Sequence, residues 1–231
     1  MNDPVAAVRQ IALALGPLVD EVVFVGGAAA PLIISDLGSD GIRPTDDIDV
    51  IVEASSRSAY ARLEARLRDL GFRHDTSEGA PICRFVYDGI PLDVMPTDPA
   101  ILGFSNRWYG YALASEQRVA LPNGPEVRVA NAVAFVATKL EAFGSPGREH
   151  AGDVLASRDL EDIVTVLDGR PTFAAEFDAA PEDVRAYLRA TFTDLLADAT
   201  FVAGVEGLVP PGPTRVERAR RVLGLLRRLS A

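Results

Sequence analysis

The stretch Arg43-Pro44-Thr45-Asp46-Asp47-Ile48-Asp49-Val50-Ile51-Val52 constrains this chain more than any other. Alternation with period two predicts a strand in which Asp47 and Asp49 share one face, while Ile48, Val50 and Val52 share the other. A strand that is apolar at its far end and doubly acidic at its entrance does not suit a plain core, because an unpaired buried carboxylate is very costly. The pair suits a hard cation such as Mg²⁺, which takes few protein ligands and shares itself with substrate phosphates. Asp-x-Asp pairs are common, and the competing reading is a turn at Asp46 and Asp47 ahead of an ordinary strand, with Asp49 hydrogen-bonded or solvated. The flanking segments favour the cation.

The chain of 231 residues fits one large domain or two small ones, and 48% hydrophobic with 24% charged residues is ordinary globular composition. Its single cysteine, Cys83, excludes an intramolecular disulfide and sits in the apolar run Ile82-Cys83-Arg84-Phe85-Val86, where a buried thiol is expected. The longest apolar run, 22–34, follows two acids and is broken by Gly26, Gly27 and Pro31. It is too short to span a membrane, and no secretory signal is visible, so a soluble cytoplasmic protein without a membrane partner is expected. A net charge of −10 argues against broad coating of nucleic acid. Of the 23 basic residues only Lys139 is lysine. A compact ammonium at that one position raises the question of what a planar guanidinium would not do there.

Along the chain, 3–15 reads as an amphipathic helix with Val5, Val8, Ile11, Leu13 and Leu15 among small residues. A buried strand at 21–25 then ends in Gly26-Gly27, which opens a helix at 28–37. A strand that passes through glycines into a helix brings backbone N–H groups and the positive helix end to the junction, an arrangement suited to phosphate; a tight turn is the plainer alternative. After an acidic, glycine-rich loop and the Asp47 strand comes a helix at 56–70, with Tyr60, Leu63, Leu67 and Leu70 on one side and Gly71 as its stop. An extended segment begins at Phe72. Strands at 81–87 and 90–95 are joined by Asp88-Gly89, a strong hairpin signal. The second of them carries Asp93 between apolar neighbours, either an exposed edge residue or a third carboxylate. Three acids on adjacent strands of one sheet can hold two metal ions roughly 3.5–4 Å apart.

Trp108-Tyr109-Gly110-Tyr111 predicts a short helix or an aromatic wall on which a base could stack, with core packing the alternative. A further hairpin is expected at 119–129 around Asn123-Gly124. From Asn131 onward the period is helical. Val133, Phe135, Val136, Leu140 and Phe143 form an apolar face with Lys139 beside it, and a glycine-containing link at 144–157 carries Arg148 and His150. It leads to a helix in which Asp159 and Asp162 lie at i, i+3, a pair that also complements a helix dipole. The segment 171–231 reads as helices only. The last of these carries Arg215, Arg218, Arg220, Arg221, Arg227 and Arg228, either a solvated face with snorkelling stems or a dock for a nucleic-acid backbone.

Taken together, Gly26-Gly27 opening a helix, Asp47-Ile48-Asp49 on the next strand and Asp93 on a later one resemble the nucleotidyltransferase superfamily with the DNA polymerase β-like fold. More narrowly, Arg43-x-Thr45-x-Asp47-Ile48-Asp49, Thr138-Lys139-Leu140-Glu141-Ala142 and Arg158-Asp159-x-x-Asp162-Ile163 are similar to the AbiEii-type toxins of type IV toxin–antitoxin systems. The resemblance covers about residues 20–168 and is specific as an ensemble. It implies an α+β fold, with a nucleotidyltransferase mixed sheet flanked by helices in 1–130 and a helical domain in 131–231. It further implies that Asp47, Asp49 and Asp93 bind Mg²⁺ or Mn²⁺, and that Gly26, Gly27, Arg43 and Thr45 lie at the nucleotide. Lys139 would hold the triphosphate, and Asp159 would act in the downstream acidic motif. Many members carry serine after the first glycine, whereas Gly27 and then Ala28 stand here, which weakens the expected grip on the triphosphate.

The expected reaction is transfer of a nucleoside monophosphate from a nucleoside triphosphate to an acceptor hydroxyl. The resemblance implies RNA, such as the tRNA 3′ end, as acceptor, with a cognate antitoxin as partner. Two alternatives stand beside it: transfer to a small cationic molecule such as an antibiotic, which an acidic surface suits, and a non-catalytic module that binds nucleotide or a protein partner.

Overall fold

The computed structural model describes residues 3–35, 44–145, 153–154 and 156–231. The chain forms two compact units, Met1–Leu32 with Pro44–Asn131, and Ile33–Arg43 with Ala132–Ala231. In the first unit, the apolar run after Glu21 becomes β1 (Val22–Val25), buried at every residue as a strand covered on both faces must be. It is joined by β2 (Ile48–Val52), β3 (Arg73–His74), β4 (Arg84–Tyr87), β5 (Ile90–Pro96), β6 (Gln117–Ala120) and β7 (Glu126–Val129). These make one seven-stranded mixed sheet in the order β3-β4-β5-β2-β1-β7-β6. β2 runs antiparallel to β1 and parallel to β5, β1 runs parallel to β7, and the β3/β4, β4/β5 and β6/β7 pairs are antiparallel.

Turn chemistry sets the two hairpins. Asp88 and Gly89 both adopt positive φ, 49° and 78°, which a two-residue turn matched to the strand twist requires. Tyr87 therefore faces Ile90, and the count back along the pair puts Arg84 opposite Asp93. Asn123, at φ 52°, serves the second hairpin. β4 begins at Arg84 and not at 81. Pro81 has no N–H for a ladder, and its carbonyl accepts from Arg84 N at 3.0 Å, closing a turn that holds the buried Cys83.

The helices of this unit are α1 (Pro4–Leu15), a 3₁₀ turn (Gly16–Glu21), α2 (Gly26–Ile33), α3 (Arg57–Asp69), α4 (Pro99–Leu102) and α5 (Tyr109–Ala114). Asp3 and Ser56 cap α1 and α3 by accepting from Ala6 N and Ala59 N. In α1 the buried face is Val8, Ile11 and Leu15, while Leu13 is 59% exposed. α2 stops at Ile33, two residues past Pro31, short of the expected 28–37. In α3 the buried Tyr60 donates its hydroxyl to Val94 O at 2.7 Å, which ties the helix to β5. Trp108 is buried, with the Arg107 guanidinium 4.7 Å from its ring centre, so it is core and not a free stacking wall.

The second unit contains α6 (Ala132–Phe143), α7 (Arg158–Gly169), α8 (Phe173–Asp178), α9 (Glu182–Ala197), α10 (Ala199–Leu208) and α11 (Arg215–Ser230). α6 packs on α7, and α11 packs on α7, α9 and α10, around Phe135, Phe173, Phe192 and Phe201. Four of the α11 arginines have partners within this unit, so the fully solvated face fails at Arg218. That side chain is buried on the Asp168 carboxylate, which also accepts from Arg221 at 2.8 Å. Arg215 donates to the Val209 and Gly207 carbonyls at 2.9 and 2.6 Å, and Arg228 lies 3.6 Å from Asp178. Among the described residues no helix is long and apolar enough to cross a membrane.

Removing one partner of a buried pair leaves the other charge uncompensated, a loss of about 3–5 kcal/mol, whereas an exposed pair contributes about 0–1 kcal/mol. Asp168→Asn is therefore expected to lower the urea midpoint strongly, and Arg221→Met, which trims only the exposed arm of the same cluster, to leave the unfolding free energy within about 1 kcal/mol of the parent.

Candidate functional site

Strand register brings the acids together. Val25 on β1 faces Asp49 on β2, Asp49 faces Asp93 on β5, and Asp93 faces Arg84 on β4. Side chains in one cross-strand row project from the same face of a sheet, so Asp49, Asp93 and Arg84 form a charged line across three adjacent strands. Asp47, two residues before Asp49, enters from the segment leading into β2. Carboxylates on neighbouring strands about 5 Å apart repel by roughly 3 kcal/mol at an effective dielectric near 20, so this line needs a cation.

Arg84 supplies one. Its Nε donates to Asp93 Oδ1 at 2.7 Å and its Nη2 to Asp93 Oδ2 at 2.8 Å, a two-pronged pairing, and Nη2 also reaches Asp47 Oδ2 at 2.6 Å. Hydrogen bonding to Asp93, reduced by burial and reinforced by the Asp93 and Asp47 charges, drives the guanidinium pKa further above its ordinary value. Asp93 is only 7% exposed. Behind the row, burial first and the Asp93 charge second push the Cys83 thiol up to about 12, so it remains a neutral core group.

Gly26 is fixed by two independent demands. Its φ of 68° is left-handed, and a Cβ there would stand 1.8 Å from Asp49 Oδ2. The Asp49 carboxylate thus lies directly against the backbone that opens α2, where a negative charge is favoured by about 0.3–1 kcal/mol. Thr45, buried, donates its hydroxyl to the Asp47 carbonyl at 3.2 Å and so shapes the approach to β2. Gly27 is the second residue of α2. Arg43 lies outside the described residues, as do Arg148 and His150.

The helical unit holds a second charged cluster. Lys139 on α6 donates to Asp159 Oδ1 at 2.9 Å and lies 2.7 Å from Asp162 Oδ2, both on α7, and all three residues are buried. Burial pulls the ammonium pKa down, but the Asp162 and Asp159 carboxylates outweigh it, and the net shift is upward. Ser157 caps α7 by accepting from Leu160 N at 3.2 Å. The i, i+3 acids therefore do more than complement a dipole: they clamp α6 to α7 through one ammonium.

Sequence reasoning reached Asp47, Asp49 and Asp93 and the Gly26 junction, and it missed Arg84. The signal was present, since the two-residue turn fixes the register that sets Arg84 against Asp93. It also missed Asp168, whose partner Arg218 is fifty positions away and leaves no local pattern. Among the described residues no three His, Cys, Asp or Glu side chains are gathered tightly enough to hold a metal ion as they stand, and Asp47 and Asp93 are joined by the Arg84 guanidinium. A cavity of about 530 Å³ lined by Glu21, Glu53, Thr97 and Arg128 lies at the opposite ends of β1 and β2 from Asp49.

No family model and no curated protein matches this chain. Among solved structures, the chain is similar to the crystal structure of JHP933 from Helicobacter pylori, at 13% identity and a TM-score of 0.49, over 100% of this chain and 93% of that one.

Two measurements test these clusters. Gly26→Ala combines backbone strain with an overpacked contact, each on the order of 1–3 kcal/mol, and is expected to destabilise the sheet unit by about 2 kcal/mol or more. In the Asp49→Ala background the same change is expected to be milder, with a coupling of about 1 kcal/mol in a double-mutant cycle from urea unfolding. Lys139→Met is expected to lose about 3–5 kcal/mol at neutral pH. Because the folded lysine pKa is raised, this difference from the parent should stay level up to the free-lysine value near 10.4. It should shrink only above that value, as the unfolded chain loses its proton while the folded one keeps it.

Proposed function

We propose that the protein is a metal-dependent nucleotidyltransferase of the polymerase β-like kind, transferring a nucleoside monophosphate from a nucleoside triphosphate to an acceptor hydroxyl. The observation that carries this reading is the register of Asp49 against Asp93, with Asp47 joined to the same cluster and the glycine junction of α2 packed against Asp49. The donor set fits Mg²⁺ or Mn²⁺: all candidate ligands are hard carboxylate oxygens, and Asp47 and Asp93 already share a positive group. Asp47, Asp49 and Asp93 would hold the metal, which when bound neutralises phosphate charge and lowers the pKa of the attacking hydroxyl. The protein's own contribution is positioning. The sheet fixes the acids on rigid strands, and Gly26 lets the backbone at the start of α2 come close to whatever lies beside Asp49.

The motif resemblance at Lys139 and Asp159 makes an RNA acceptor the preferred one, within a toxin controlled by an antitoxin. The α11 arginines lend it little weight, because four of them have partners within their own unit. One observation favours a second reading, a nucleotide-binding module without catalysis: Arg84 already pairs with Asp47 and Asp93, and Lys139 is held by two carboxylates.

Incubation with Mg²⁺, labelled nucleoside triphosphates and total RNA separates the readings. Label in a tRNA-sized band with release of pyrophosphate is expected. Pyrophosphate release with a cationic small molecule alone would redirect the acceptor, and nucleotide binding without any pyrophosphate would favour the module. Asp49→Asn is expected to reduce incorporation by about 100-fold or more, on the scale of losing one electrostatic stabiliser of a transition state, with its circular dichroism unchanged.

A further inference from the structure

We propose that Arg84 is a built-in counter-cation of the acidic row, and that a divalent metal ion must displace it from Asp47 and Asp93 in order to bind. The inference rests on the metal-dependent reading above and assigns a role to a residue that reading does not use. Three features support it. The Arg84 guanidinium engages both oxygens of Asp93 and one of Asp47, the same groups a metal would need. Three aspartates against one arginine leave the four side chains with a formal charge of −2, so the cluster remains attractive to a divalent ion while the arginine is in place. A second cation bridging the same carboxylates would sit against the guanidinium, and cation–cation repulsion makes the two occupants alternatives.

The displacement needs little movement of the fold. Arg84 stands at the start of β4 with its side chain 21% exposed, so rotation about its own bonds can carry the guanidinium toward solvent. Asp93 and Asp49 are held by the strand ladder and stay where they are. A purely structural ion pair would have a different signature, because its removal would loosen the acids and weaken any metal site built on them. Arg84 therefore acts as a competitor for the carboxylates: it offsets part of their charge before the metal arrives and sets the threshold for its arrival.

Titration of the full chain with Mn²⁺ alone, read by the electron paramagnetic resonance signal of the free ion, tests this without any activity assay. Arg84→Met is expected to bind Mn²⁺ tighter than the parent by about tenfold or more, on the scale of changes around a metal's outer shell. It should also melt lower than the parent without metal and recover more on adding it. Arg84→Lys, which keeps a charge but not the two-pronged geometry, should fall between the two and stands in if the methionine variant does not fold. Equal or weaker Mn²⁺ affinity in the folded variants overturns the role of Arg84 and leaves the metal reading intact. Absence of Mn²⁺ binding in the parent and both variants, at millimolar ion, overturns the metal reading and this inference together.

Discussion

Like-charge repulsion on a rigid sheet is the constraint around which the first unit is built. Strand pairing sets Asp49 beside Asp93, Asp47 joins the same cluster through Arg84, and the ladder gives Asp49 and Asp93 no freedom to separate. Something positive must therefore stand beside them, and β4 delivers it from the other side of Asp93. The glycine at the start of α2 follows from the same constraint, since only a residue without a side chain leaves room for the Asp49 carboxylate. A buried charge is tolerable where its partners are held as firmly as it is.

The helical unit meets a comparable problem with different means. Its acids at 159, 162 and 168 lie along one helix and are buried, and each is answered from a neighbouring helix. Lys139 serves two of them with a compact ammonium, and Arg218 and Arg221 converge on the third with planar forks. Such pairs add less net stability than an apolar contact of the same volume, but they penalise any sliding of α6 or α11 along α7 that would leave a charge stranded.

Local pattern made much of this legible. The hairpins at Asp88-Gly89 and Asn123-Gly124, the strand at 22–25 and the helices from 131 onward follow from turn residues and apolar period, which act over a few positions. The same signals put Asp47 and Asp49 together. Two things were not available from them. The parallel pairing of β2 with β5 joins segments separated by a helix and two strands, and no period records it. The role of Lys139 was read from motif order as a phosphate contact, while its present partners lie on the next helix and are set by how α6 rolls against α7.

The two-residue turn between β4 and β5 carries a consequence for how this sequence can drift. Because successive side chains on a strand point to opposite faces, adding one residue to that loop would swing Arg84 to the apolar side and thrust Phe85, now fully buried, among the carboxylates. Loop length, together with the positive φ at Asp88 and Gly89, holds this register, and an indel there would disarm the acidic row without touching any of its members.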